Sequence, residues 1–255
     1  MLRFLGFLIC CSNFVFADVE RGLQIAIDAD LRDKGFGDNI SEMKMVLKDR
    51  YGRSTERDIR NRTFEGTDQG DKSLVIFDSP GDVKGTAFLS HTKKVGSDDQ
   101  WLYLPALKRV KRIASANKAG PFMGSEFAYE DIASQEVEKY TYEFVREEEF
   151  NGLNCFVVES DPVDPKSGYS KRISWIDSEE YRVQKIEFYD RKKSHLKTLT
   201  YGGYQEYQDK FWRPQRMFME NHQSGKTTTL LFSKWKFGNG FKENDFKKNA
   251  LKKVR

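Results

Sequence analysis

Residues 40–64 read ISEMKMVLKDRYGRSTERDIRNRTF, and their period decides the fold. Met43, Met45 and Leu47 fall on one side and Glu42 and Lys44 on the other, the two-residue repeat of a strand with one buried face. Asp49-Arg50-Tyr51-Gly52 supplies turn chemistry, and Ser54 to Phe64 returns as a polar partner strand. Upstream, Val19, Leu23, Ala26, Ile27 and Leu31 recur at helical spacing opposite Glu20, Arg21, Asp28 and Asp30. That spacing predicts an amphipathic helix over 19–31, stopped by Gly35 and Gly37.

Downstream the strand signals repeat. Ser73 to Phe77 ends at Ser79-Pro80-Gly81, and further strands are predicted over 85–91, 101–104, 109–113, 140–147, 154–160, 171–176, 183–189, 196–206, 213–220 and 227–236. Turns such as Asn151-Gly152 and Ser224-Gly225-Lys226 separate them, which makes an antiparallel meander. Residues 114–135, ASANKAGPFMGSEFAYEDIASQ, interrupt it with a loop and short helix that carry an apolar face. No repeat and no linker divides the chain. The expected fold class is mainly β with helices (α+β), one domain over 18–255 whose large, curved antiparallel sheet has helices across its concave face.

The chain has 255 residues, with 43 Lys and Arg against 39 Asp and Glu, so both signs are interspersed and no nucleic-acid partner is expected. Residues 1–17, MLRFLGFLICCSNFVFA, combine Arg3, an apolar run from Phe4 to Cys11 and a Val15-Phe16-Ala17 end. They read as an export signal cleaved after Ala17, too short in its apolar run to span a membrane. Lipidation would have to use Cys10 or Cys11, and neither is preceded by the small residue such processing prefers. Cleavage leaves Cys155 alone, without a disulfide partner, in the apolar run Cys155-Phe156-Val157-Val158, where it reads as a small buried hydrophobe.

No catalytic motif stands out. There is no G-x-S-x-G, phosphate loop or H-E-x-x-H, and His91, His195 and His222 occur singly, so neither an enzyme nor a metal or other cofactor is expected. Glu126, Glu130 and Asp131, or Asp177, Glu179 and Glu180, could serve as acid and base only inside a pocket, and otherwise read as solvated strand ends. Lys108-Arg109-Val110-Lys111-Arg112 reads better as the solvent face of an edge strand, where positive charge discourages edge pairing, than as a rim for an anionic ligand. The basic C-terminus from Lys242 reads as a solvated tail anchored by Phe246 and Leu251, ahead of peripheral contact with anionic lipid at a membrane surface.

Aromatic residues make up 14% of the chain, and many fall on predicted strands or in the 114–135 cover. They form a solid core if the cover packs tightly, or line an apolar cavity if it packs loosely. Residues 72–89, KSLVIFDSPGDVKGTAFL, 100–113, QWLYLPALKRVKRI, and 122–131, FMGSEFAYED, together resemble the outer-membrane lipoprotein-sorting-like proteins, a family related to the lipoprotein carrier LolA. The resemblance continues through Gly168-Tyr169-Ser170-Lys171, Trp175-Ile176-Asp177, Glu187-Phe188-Tyr189-Asp190 and Gly225-Lys226-Thr227-Thr228.

That resemblance implies an incomplete antiparallel β-barrel with a helical lid over a hydrophobic cavity. It also implies a periplasmic carrier of lipid or lipoprotein acyl chains, linked to an RND-type membrane exporter. In that reading Trp101, Tyr103, Phe122, Met123, Phe127, Tyr129 and Trp175 contact the cargo or form the lid, and Arg109 and Arg112 meet an anionic head group. The alternative is a non-lipid-binding adaptor subunit of an envelope export complex, with a packed interior and an exposed binding patch.

Overall fold

The computed structural model describes residues 10–67 and 70–253, with side chains from residue 17 onward. Residues 1–9 of the expected export signal lie outside the described residues; the remainder opens a continuous helix, α1 (Cys10–Asp33), which covers the predicted 19–31 segment.

Two meanders follow. The first contains β1 (Asp38–Lys48), β2 (Ser54–Phe64), β3 (Lys72–Ser79), β4 (Ala87–His91), β5 (Asp99–Leu104) and β6 (Arg109–Ile113). The second contains β7 (Tyr140–Phe150), β8 (Leu153–Pro162), β9 (Tyr169–Asp177), β10 (Val183–Asp190) and β11 (His195–Gly202). It is completed by a small ribbon of β12 (Gln205–Tyr207) and β13 (Phe211–Arg213), then β14 (Arg216–Asn221) and β15 (Lys226–Phe237). The predicted 196–206 strand breaks at Gly202-Gly203, where Gly203 takes a φ of +64°, a left-handed turn that releases the ribbon from the main sheet.

The main sheet is antiparallel throughout and runs β6-β5-β4-β3-β2-β1-β15-β14-β11-β10-β9-β8-β7. β1 and β15 therefore lie at its centre, with Met45 opposite Leu230 and Leu47 opposite Thr228. Local chemistry sets the hairpins. Asp49 accepts hydrogen bonds from the amides of Tyr51 and Arg53 at 2.9 and 3.0 Å, and Asn151-Gly152 adopts φ of +51° and +79°, as a two-residue hairpin turn requires. The strand with Lys108–Arg112 is a free edge, as its charge pattern predicts.

The sheet curls until one face of β6, β5 and β4 shares a core with one face of β9, β10 and β11. It does not close: β6 and β7 are opposite edges, and the chain joins them directly through residues 114–139. That connection has to cross the concave side. It does so as 3-10 turns at Ser115–Asn117, Phe122–Gly124 and Tyr129–Asp131, where a short helical cover was expected. Gly120, Pro121 and Gly124 explain the difference, since they break helical hydrogen bonding, and Met123 sits at φ +50°. The α-helix of the described residues, α1, packs on β7 and β8 at the other side of the concave face, with Ile25 against Val158 and Ile176.

Gly22 makes that approach possible, because a Cβ built there would stand 2.6 Å from the Phe144 backbone nitrogen. In a free helix Gly22→Ala would stabilise by roughly 0.5–1 kcal/mol. Here crowding outweighs propensity, and the replacement is expected to destabilise the protein by about 1–3 kcal/mol in urea titration. A gain in stability would disprove the close packing of α1 on β7.

Candidate functional site

The concave face is divided between a plug and a cavity. The plug is residues 122–131. Phe122 and Phe127 are fully buried against Phe77, Phe88, Met219 and Leu230, and Phe122 meets Phe88 and Tyr129 edge-on at 5.2 and 5.5 Å. Burial of this aromatic area gives the plug its adhesion.

Polar bonds set its position. Lys197 of β11, buried on the concave face, donates to Asp131 Oδ2 at 2.7 Å and to the Glu126 carbonyl at 2.8 Å. Tyr169 of β9 donates its hydroxyl to the same carboxylate at 2.8 Å. Asn221 of β14 donates to Glu126 Oε2 at 2.7 Å, and the amide of Glu126 donates to Thr228 Oγ1 of β15 at 3.0 Å. Four strands thus hold one short segment. Glu130 receives the Gly168 amide and the Ser167 hydroxyl at 2.8 Å each, and burial pushes its carboxyl up from the ordinary range.

Side chains also bridge the gap between the sheet's two ends. Ser97, beyond β4, and Lys118, from the crossing segment, donate to Asp164 Oδ2 beyond β8 at 3.0 and 2.7 Å. Lys139 donates to Asp98 at 2.6 Å. For Asp164 the cost of burial is outweighed by the Lys118 ammonium and the Lys166 and Ser97 donors, which bring its pKa down to about 2.

Beside the plug lies a cavity of about 980 Å³, within the upper range of small-molecule sites. Ala26 and Ala29 of α1 form one wall; Val158, Ile176, Val183, Ile186, Tyr142 and Tyr201 of the sheet form the other; Trp212 and Trp235 flank it. The wall also carries charged groups of both signs, several of them paired. Arg182 meets Asp177 at 2.8 Å, Arg32 meets Glu180 at 3.3 Å, and Arg213 bonds Asp33, whose carboxyl is pushed up by burial. Arg172 of β9, only 8% exposed, lies under Tyr140 with 3.6 Å from guanidinium carbon to ring centre.

The nine residues singled out from the sequence separate into four places, and none of them lines this cavity. Phe122, Met123, Phe127 and Tyr129 come together in the plug. Trp101 and Tyr103 stand on the opposite face of the sheet, packed with Leu89, Phe246 and Leu251 of the C-terminal segment. Register explains it: Leu102 pairs with Phe88 on the concave face, so its neighbours turn outward. Trp175 also faces outward, over Cys155 and Val157, with Lys185 Nζ 3.4 Å above its ring and its indole N–H donating to Glu148. Arg109 and Arg112 are exposed on the β6 edge, where Arg112 pairs with Asp99.

Cys155 is buried, and burial with the nearby Asp177 charge pushes its thiol up to about 11, which suppresses the thiolate. The sequence reading missed Arg172, Lys197 and the α1 wall. Alternation along 171–177 could have placed Arg172, Ser174 and Ile176 on one face, but Trp175 and Ile173 drew the apolar side to the other.

A family model described as an uncharacterized protein matches residues 69–253. Among solved structures, the chain is similar to a candidate outer membrane lipoprotein-sorting protein domain from Vibrio parahaemolyticus. The two share 54% identity at a TM-score of 0.90 over 92% of this chain and 99% of that one. A DUF1329 family protein from Desulfovibrio piger matches at 27% identity and a TM-score of 0.87, over 92% and 99% of the two chains. A LolA superfamily protein from Nitrosomonas europaea shares the fold at 21% identity and a TM-score of 0.72, over 90% and 99%. No curated protein matches the chain.

Two outcomes follow from the plug. Asp131→Asn leaves the Lys197 ammonium buried without its counter-charge and is expected to cost about 3–5 kcal/mol in chemical denaturation. Pairing it with Lys197→Met should recover part of that loss, and strict additivity of the two would argue against the ion pair. Asp164 titrates lower in the folded chain than the usual ~3.9 of the unfolded one, so its contribution is complete above about pH 4. It is lost as pH falls toward 2, and amide protection of residues 114–121 should weaken across that window. Asp164→Asn should show the weakened protection already at neutral pH.

Proposed function

The chain belongs to the DUF1329 family of outer-membrane lipoprotein-sorting-like proteins, and on that premise we propose that it is a periplasmic carrier that shields lipid or lipoprotein acyl chains from water. The supporting observation is the 980 Å³ cavity beneath α1, whose sheet wall carries Val158, Ile176, Val183, Ile186, Tyr142 and Tyr201 beside polar and charged groups. The apolar part of such a wall holds an alkyl chain without catalytic groups, since each methylene withdrawn from water contributes roughly 0.8 kcal/mol. In this reading α1 is the lid. Phe122, Met123, Phe127 and Tyr129 act as the floor that keeps the cavity to one side of the concave face, and Trp101, Tyr103 and Trp175 stiffen the shell.

The proposal extends to the route. A signal cleaved after Ala17 would deliver the chain to the periplasm with residues 18–33 left as the lid, and cargo would pass to or from an RND-type exporter. The family resemblance alone supports the exporter link.

Native mass spectrometry of detergent-free protein purified from the periplasm is expected to show a lipid-sized adduct. Ala29→Trp, which fills the cavity from α1, should remove the adduct with the melting temperature little changed. A clean mass after incubation with envelope lipids would refute the carrier and favour the adaptor reading.

A further inference from the structure

Arg172 is the arginine of the cavity wall that has no carboxylate partner among the described residues. Its Nε–H donates to Ser160 Oγ at 3.4 Å and its Nη1 to Gln135 Oε1 at 2.6 Å. Both acceptors are neutral, and the guanidinium has five N–H donors. Among the described residues no carboxylate pairs with it, whereas Arg32, Arg182 and Arg213, the other arginines of the same wall, each have one.

An arginine buried to 8% exposure loses much of its hydration, and a neutral amide and hydroxyl do not replace it. Tyr140 covers one face of the group and fixes its plane, so the remaining N–H edge has a set direction. The adjoining wall carries aliphatic side chains. Ser174 and Ile176 continue along β9 on the same face, roughly 13 Å from Arg172 to Ile176 at strand rise, flanked by Val158 and Ile186.

We propose that the cavity takes single-headed anionic amphiphiles, with the carboxylate or phosphate of the head seated on Arg172 and the alkyl chain laid along the Ile176 wall toward α1. This rests on the carrier reading and adds the chemistry of the cargo's head. A planar guanidinium held by a stacked ring matches two oxygens of either anion in a forked pair, which a neutral or cationic head cannot offer. It also sets the order of entry: the head goes deepest, and the tail end is left next to the helix.

The test uses the full mature chain and four probes of equal chain length: laurate, dodecyl phosphate, 1-dodecanol and dodecyltrimethylammonium. Binding is followed by intrinsic tryptophan fluorescence, to which Trp212 and Trp235 of the cavity wall contribute, with calorimetry as a check. The two anionic probes are expected to bind roughly tenfold or more tighter than dodecanol, and the cationic probe weakest. Arg172→Gln should bring the anionic probes to the affinity of dodecanol and leave dodecanol unchanged, and Arg172→Lys should retain part of the preference. The comparison among probes on the unaltered protein needs no variant, so a misfolded Arg172→Gln does not remove the test. Equal binding of all four probes would overturn the anion site and leave the carrier reading standing. Binding of none would overturn both. Saturation by acetate or inorganic phosphate at the same affinity as the dodecyl anions would overturn the amphiphile and mark a site for small free anions.

Discussion

The ammonium of Lys197, buried on the concave face of the sheet, has one carboxylate within reach, Asp131, and much else in the structure depends on that pair. Asp131 belongs to the chain segment that joins the two edges of the sheet, so satisfying the charge also fixes where that segment crosses. Once Asp131 is set, Glu126 reaches Asn221 and Thr228, and Phe122 and Phe127 drop among Phe77, Phe88 and Met219. That side of the concave face is then filled. The other side is left to α1, whose Ala26 and Ala29 are too small to fill it. The cavity is what remains between a plug that packs closely and a helix that does not.

The 114–135 cover packs tightly, so the aromatic residues beneath it are core and the cavity lies elsewhere, under α1. Phe122 and Phe127 are core, and the cavity is lined by Tyr142, Tyr201, Trp212 and Trp235. The outward-facing clusters around Trp101 and Trp175 need a third description. They cover the outer face of a sheet that buries parts of both sides, with the C-terminal turns laid over the first and lysine and arginine stems over the second.

Fold and site differed in how far they could be read from the chain. β2 occupies Ser54–Phe64 as alternation and turn chemistry predict, and Arg109–Ile113 is an edge strand as its charges predict, because both signals are local. Strand facing is not local. Trp101 and Leu102 are equally apolar, and which one turns inward depends on pairing with β4. Nor does sequence distinguish Arg172 from Lys171, adjacent bases in an alternating strand. Lys171 meets Glu159 on the outer face, and Arg172 turns in toward Ser160 and Gln135. A lone buried charge leaves no periodic trace.

The place of β15 in the sheet bears on how the chain is made. Met45 cannot find Leu230 until nearly the whole polypeptide exists, so the seam through the middle of the sheet is also its longest-range pairing. The two meanders, built from near neighbours, are free to form early as separate curved leaves, and the last strand to be synthesised joins them. A chain cut short before Lys226 would lose the seam between the leaves, where the same loss from most sheets would only trim a border.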